Sequence, residues 1–398
     1  MKPMRVLMLV EGYNAVGGIA EIVDSLAAEL KRAGHAAAIL STRDVRAERS
    51  GYERSPRPGI ECIYEEIWNR KPFGLRHLEA LLRVPWHARF GGLARALRCW
   101  RPDVVNSHLW AWDRYPTVMS VCRNAGVPMV QSLHVTDERG RGRLGARGLQ
   151  ALERAAAIIA GSDATRDFFA ARVAAPRRAE VIIGGVDGLA AASALPHRRP
   201  RPYLLCACRL HLEHKALDVL IGAFRMIAPD FPTVDLLIAG GGPDFEHVAR
   251  LVNESGFTER VDLLGVRSRD ELRSLHRGAL AFVLPSRPGE CLPLVYLEAL
   301  AAGTPVIGTD TGGACEVIRN GDNGFLLAPG DVEGTAAAIR TLLANEATRT
   351  AMGARGQRLV ADSYTWEKCA ARYVAVYRSC LDSTARRRHR DTSVADFD

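Results

Sequence analysis

The chain has 398 residues, 47% of them apolar and 25% charged, which is the composition of an ordinary globular protein and too long for one domain, so two compact halves are expected. No apolar run approaches the roughly 20 residues of a bilayer span, which excludes a membrane-crossing helix. The net charge of +8, carried by arginine against only five lysines (Lys2, Lys31, Lys71, Lys215 and Lys368), favours anionic partners such as phosphorylated substrates, anionic lipid or nucleic acid.

The first apolar run, Arg5 to Val10, is short, lacks a small-residue cleavage site and enters a Gly-rich turn. It therefore predicts a first strand rather than an export signal, and a cytoplasmic protein. Gly12 and Gly17 have the spacing of a P-loop, but Gly18 stands where its lysine belongs. The pair Gly17-Gly18, between that strand and a helix over 18–31, can still bring backbone N–H groups close to an anion. Short β-rich runs then recur at AAAIL, DVVNS, PMVQSL, AAIIAG and AEVIIG, alternating with helical patterns. Such alternation predicts a parallel sheet covered by helices on both faces. Within this half, residues 70–101 carry eight basic side chains and one acidic, interleaved with Phe73, Trp86, Phe90 and Trp100. With the Arg/Gly loop 139–147 they form a candidate membrane-surface patch; the alternative is a solvated helix face beside a core. His134 follows the run PMVQSL, a position where a lone histidine is more often structural.

After Gly188 the pattern lapses into a Pro- and Arg-rich stretch, read as a linker over 190–202 that separates a first domain (1–189) from a second (203–364). Alternation resumes with YLLCAC, VDLLIAG, RVDLLG, LAFVLPS, TPVIGTD and GFLLAPG. The nine cysteines are odd in number, scattered and without a CxxC pair, with Cys206 and Cys208 on one strand face. That usage suits free thiols in a reducing compartment and gives no zinc site. Arg209 and Lys215 follow the first strand of this half, at the carboxyl edge where α/β sheets bind ligands. Two cations there suit a diphosphate leaving group, or else pair with Glu213 and Asp218 at the surface. Gly240-Gly241-Gly242-Pro243 is a second candidate phosphate loop, although Phe245 spoils the dinucleotide fingerprint. A third lies in PSRPGECLPLVYLEALAAGTPVIGTDTGG: Glu290 sits in the loop after a strand, Pro293 at the first helical position, and Glu298 in the helix's second turn. A last helix is read over 365–383, followed by a disordered tail, 384–398, that holds the only D-x-D, Asp396 and Asp398.

Taken in order, the N-terminal Gly-Gly before a helix ending LKRAGH, the histidine of PMVQSLHVTD, VIIGGVD, the Arg/Lys phrase CRLHLEHKALDVL, LLIAGGGPD and the E-x7-E segment resemble the family 4 (GT4) retaining glycosyltransferases over nearly the whole chain. The resemblance implies the GT-B fold: two doubly wound Rossmann-like α/β domains facing a central cleft, with a C-terminal helix packing back on the N-terminal domain. It implies that Arg209 and Lys215 hold the nucleotide diphosphate, Glu298 the ribose hydroxyls and Glu290 the donor sugar. Leu294 and Val295 would bring helix amides to the phosphate, His134 would lie near the reacting centre, and Gly17-Gly18 would close on donor and acceptor. Two positions depart from the family pattern: Ala216 stands for the glycine usual after the lysine, and Gly184 for the asparagine before GVD.

The implied reaction moves a hexose from a nucleotide-diphosphate sugar to a glycan, lipid-linked or small-molecule acceptor in surface polysaccharide or glycoconjugate synthesis. UDP-glucose, UDP-N-acetylglucosamine and GDP-mannose fit the same charge frame. Glu290 and Glu298 would lie on one side of the donor, so they read as binding groups rather than the paired acid and nucleophile of a retaining glycosidase. Front-face substitution, without metal or other cofactor, is the expectation. A sugar-nucleotide 2-epimerase and a non-catalytic sugar-nucleotide-binding partner are the alternatives; nucleic acid is not an expected partner, since no nucleic-acid-binding motif accompanies the charge.

Overall fold

The computed structural model describes residues 2–11, 18–42, 60–65, 91–109, 115–134, 145–173 and 178–395. The chain forms two compact units, one from Met1–Ile182 with Cys369–Asp398, the other Ile183–Lys368.

The first unit contains β1 (Arg5–Glu11), α1 (Gly18–Arg32), β2 (Ala36–Thr42), β3 (Glu61–Glu65), α2 (Gly91–Cys99), β4 (Val104–Ser107), α3 (Tyr115–Asn124), β5 (Met129–Leu133), α4 (Ala146–Glu153), β6 (Ala157–Ala160), α5 (Asp163–Ala170) and β7 (Ala179–Val181). Its strands are all parallel, in the order β3-β2-β1-β4-β5-β6-β7. Val6, Leu7 and Met8 are wholly buried because an interior parallel strand is covered on both faces, which is why β1 reads as an unbroken apolar run. The order reverses direction at the β1/β4 border.

The second unit continues with α6 (Gly188–Ser193), β8 (Tyr203–Ala207), α7 (Leu212–Lys215), α8 (Leu217–Ile227), β9 (Asp235–Ala239), α9 (Phe245–Glu254), a 3-10 turn (Thr258–Arg260), β10 (Val261–Gly265), α10 (Arg269–Gly278), β11 (Ala281–Leu284), α11 (Leu294–Ala301), β12 (Val306–Thr309), α12 (Ala314–Val317), β13 (Gly324–Leu327), α13 (Val332–Ala344) and α14 (Glu346–Ser363). Its parallel order, β10-β9-β8-β11-β12-β13, reverses at the β8/β11 border. The last helix, α15 (Trp366–Ala395), carries the chain back into the first unit. There the buried Asn106 amide of β4 donates to the Tyr377 hydroxyl at 2.7 Å while accepting from the Ser132 hydroxyl at 2.9 Å. Every polar atom in that relay needs its partner, because burial without one costs roughly 1–3 kcal/mol.

Three boundaries differ from the sequence reading. The stretch 190–202 is not a linker: Asp187 caps α6 by accepting from the Ala190 amide, and the Arg199 guanidinium reaches the buried Asp235 at 2.7 Å and Asp262 at 2.8 Å. Those ion pairs anchor the segment to the second unit, so the chain crosses at Ile182/Ile183 instead. Helix α15 continues through the stretch read as a disordered tail, as far as Ala395, since Ala and Arg are strong helix formers and no Gly or Pro interrupts them. Finally, Pro293 (ψ 112°) stands as N-cap, one residue before α11 begins. Among the described residues no helix is long and apolar enough to cross a membrane.

The GGG turn after β9 is structural. A side chain on Gly240 (φ +137°) would lie 1.8 Å from the Cys208 carbonyl oxygen, and one on Gly242 2.3 Å from that of Leu210. Glycine therefore lets this turn press against the loop bearing Arg209. Gly240→Ala is expected to cost about 3 kcal/mol or more by urea denaturation, against about 1 kcal/mol for Gly256→Ala, where the backbone is also left-handed but no atom obstructs a methyl. Equal costs would mean that the close approach is not what demands glycine.

Candidate active site

In a doubly wound sheet, loops leaving adjacent strands at the reversal point diverge and open a crevice at their carboxyl ends. In the second unit these are the loops after β8 and β11. The first carries Arg209 and Lys215, the second Glu290. The Lys215 ammonium lies 2.9 Å from the Glu290 carboxylate, with both side chains largely buried. Arg209 is exposed and has no ion-pair partner among the described residues. The frame is thus one open guanidinium and one internally paired lysine rather than two open cations.

Arg287, unnoticed in the sequence, binds the two loops together. Its guanidinium grips Asp218 with bonds of 3.0 and 2.6 Å and donates to the Leu212 carbonyl at 2.7 Å, while its backbone N–H donates to the His214 carbonyl at 2.8 Å. The Asp218 contact holds this already basic group further up. Asp218 is therefore committed to Arg287 and not to Arg209 or Lys215. Behind Glu290, Gly312 (φ +55°) leaves room for the carbonyls of Glu290 and Cys291, which a side chain there would meet at 2.1 and 2.4 Å. The Gly240–Gly242 turn, a candidate phosphate loop by sequence, instead scaffolds the Arg209 loop: the Leu210 amide donates to the Gly241 carbonyl at 3.1 Å and the Leu212 amide to Asp244 at 2.8 Å.

Lys215 ends α7, and Ala216 turns the chain into α8 with φ 47° and ψ 46°. This left-handed conformation costs a non-glycine residue roughly 1–2 kcal/mol, so Ala216 holds local backbone strain directly after the lysine. The other departure, Gly184, faces α11: a Cβ at 184 would come within 2.8 Å of Leu294 Cδ2. Leu294 and Val295 open α11, where the first N–H groups lack an intrahelical acceptor and the helix dipole favours an anion. Glu298 lies one turn on, 3.8 Å from Nε2 of His276. His276 is buried and neutral, since desolvation pushes its pKa down to about 3, so the contact is not an ion pair. The sequence offered no signal for it beyond a histidine on a helix.

In the first unit, Gly18 opens α1, while Gly17 lies outside the described residues, as do residues 66–90 and 135–144, which contain most of the candidate membrane patch, and the D-x-D of Asp396 and Asp398. His134 follows β5 and stacks on His108, which follows β4; the rings are 5.1 Å apart and inclined by 10°, and Nδ1 of His108 is 2.9 Å from Nε2 of His134. Desolvation lowers both, His134 to about 4, so the pair is uncharged near neutral pH. Nε2 of His108 is buried without a partner. A proton there would be an orphaned donor, a rarer defect than an unused acceptor. The favoured tautomer therefore has His108 Nδ1–H donating to His134 Nε2, and His134 carrying its own proton on Nδ1.

Residues 191–359 match the family described as Glycosyl transferases group 1, and residues 16–188 the family described as Glycosyltransferase Family 4. The chain is 32% identical to a glycogen synthase of Mycobacterium tuberculosis over 94% of each protein. It is 30% identical to a D-inositol 3-phosphate glycosyltransferase of Catenulispora acidiphila over 70% of this chain and 73% of that one. A GDP-mannose-dependent phosphatidylinositol monomannoside mannosyltransferase of M. tuberculosis is 33% identical across 47% of this chain and 49% of its own. Among solved structures, Anabaena HepE with UDP and glucose superposes with a TM-score of 0.74 at 19% identity, covering 94% of this chain and all of that one. A sucrose-phosphate synthase of Thermosynechococcus elongatus gives the same TM-score at 20% identity, covering 96% of this chain and all of that one. The fold shared with them is GT-B.

Proposed function

The chain belongs to the family 4 glycosyltransferases and carries out sugar-nucleotide-dependent glycosyl transfer, and from that premise we propose that its donor is a nucleotide-diphosphate hexose held in the second unit around Arg209, Lys215 and α11. The observation that carries the placement is the Lys215–Glu290 pair at the β8/β11 reversal point, beside the first turn of α11. A diphosphate would take Arg209 and the Leu294 and Val295 amides, and draw Lys215 from the carboxylate. Glu290, released, would accept from donor sugar hydroxyls, and Glu298 from the ribose.

Bond breaking transfers an electron pair from the anomeric C–O bond to the diphosphate, where the growing charge meets these fixed donors and raises the value of each. The acceptor hydroxyl attacks the same face, and its proton passes to the departing diphosphate oxygen, so configuration is retained without a protein nucleophile. His134, neutral with its proton on Nδ1, would act as a hydrogen-bond donor rather than a base. The acceptor class is a growing glycan or a glycoconjugate precursor, supported by the glycogen synthase relative. Any contact with an anionic membrane would be peripheral.

The test incubates the purified protein with UDP-glucose, UDP-N-acetylglucosamine or GDP-mannose in EDTA. One donor is expected to stabilise the protein by about 2.7 kcal/mol at a hundredfold excess over its Kd. With a glycan acceptor, NMR should show the donor's anomeric configuration in the product. Acceptor-independent isomerisation of the sugar would instead reveal an epimerase. Inverted product, or complete loss of activity in EDTA restored by magnesium, would overturn the mechanism.

A further inference from the structure

The loop that carries Arg209 and Lys215 also carries three side chains for which the transfer reaction has no use: His211, Glu213 and His214. His211 is the N-cap residue of α7, and His214 lies within its single turn. Their rings are 4.5 Å apart with planes inclined by 35°. One donor atom from each of the three residues lies within 4.8 Å of the other two. The backbone beneath them is fixed, because the His211 carbonyl accepts from the His214 and Lys215 amides and the His214 carbonyl from the Arg287 amide. Separately, Nδ1 of His211 is buried and has no hydrogen-bond partner. A buried polar nitrogen in that state is unfavourable, and a metal ion taken up on that nitrogen would relieve it.

We infer that His211, Glu213 and His214 form a binding site for a divalent transition-metal ion of the zinc class. Two imidazoles and one carboxylate are a zinc-type donor set, whereas magnesium and calcium select oxygen. Bonds of about 2.0–2.1 Å place tetrahedral donors about 3.3 Å apart, so small side-chain rotations of the exposed Glu213 and the half-buried rings close the set. Three protein ligands leave a fourth position for water.

The site also bears on the donor, and this part rests on the nucleotide placement proposed above. Along the loop, Glu213 offsets Arg209, and Lys215 is already paired with Glu290. A dication consuming the Glu213 charge turns a nearly neutral loop into an anion-attracting one. Bound metal therefore tightens the hold on a nucleotide diphosphate without being required for it.

Cobalt(II) titrated into the full-length, chelator-stripped protein is expected to give a ligand-field absorption band saturating at one ion per chain, displaced by zinc. His211→Gln and His214→Gln should weaken that binding by about tenfold or more while leaving the metal-free melting temperature within a few degrees. Cys208→Ser should leave it unchanged, which separates this site from the Cys206/Cys208 thiols, 4.0 Å apart. Absence of a stoichiometric band, or a band insensitive to both histidine variants, overturns the site. Calorimetry with UDP or GDP, with and without zinc, is expected to show Kd lowered severalfold by the metal, an effect lost in His214→Gln. A metal-bound protein with unchanged nucleotide Kd overturns the coupling; one that binds neither nucleotide with or without metal overturns the donor placement and leaves the metal site standing.

Discussion

Lys215→Ala is expected to lower kcat/KM for the donor by about two to three orders of magnitude, the usual loss when one fixed donor to a developing anion is removed. Two effects combine. The departing diphosphate loses a cation, and Glu290, having lost its 2.9 Å contact with the Lys215 ammonium, turns more of its negative charge toward the anion it should accommodate. Glu290→Gln alone should cost less, and in the double variant the two losses should fall well short of adding, because residues in one ion pair couple. Lys215→Arg is not expected to rescue, since a planar fork cannot replace a point charge in that slot. Steady-state kinetics on the parent and the four variants decide the matter; a Lys215→Ala enzyme within threefold of the parent would place the leaving group elsewhere.

Mild acid is the second large effect. His108, His134 and His276 have folded-state pKa values pushed below 6.5 by burial, His134 to about 4 and His276 to about 3. Unfolded, each takes up a proton near pH 6.5; folded, each resists. Between those limits the unfolded state binds more protons, so stability is full above about pH 6.5 and is lost as pH falls toward 4. Three such groups give a slope approaching about 4 kcal/mol per pH unit. Typical domain stabilities of about 5–15 kcal/mol would be consumed within a few units. Urea midpoints at pH 7.5, 6 and 5 should fall steeply, and His276→Gln should remove about 1.4 kcal/mol per unit from the slope. Midpoints flat from pH 7.5 to 5 would show that these rings are protonated without unfolding.

What the sequence made legible follows from what each feature depends on. Buried parallel strands must be apolar on both faces, so β1, β8, β9, β11 and β12 stand out as unbroken runs, and the residues following them announce the carboxyl edge where Arg209 and Glu290 lie. The edge strand β3 did not stand out, because Glu61 and Glu65 bracket its short apolar centre. The Pro- and Arg-rich segment before β8 reads as a linker until Arg199 is seen to meet a buried aspartate thirty-six positions away. Pairings of that kind, like Lys215 with Glu290 and Arg287 with Asp218, are set by the distance between strand ends in space, to which composition and periodicity are blind. The His108–His134 stack has the same origin: it needs β4 and β5 as neighbours, a fact of strand order.

The Arg287 clamp has a bearing on the entropy of recognition. Two ion pairs tie the chain after β8 to the loop after β11; in the donor placement proposed above a ligand would dissolve only Lys215–Glu290, while Arg287–Asp218, reinforced by two backbone carbonyls, would stay closed. Exchanging the first pair for an anion thus leaves the loops already ordered. Had they been free, fixing each residue would have cost about 1–2 kcal/mol of conformational entropy. A receptor organised before its guest arrives can release the product diphosphate by re-forming a single ion pair, with no loop to refold between turnovers.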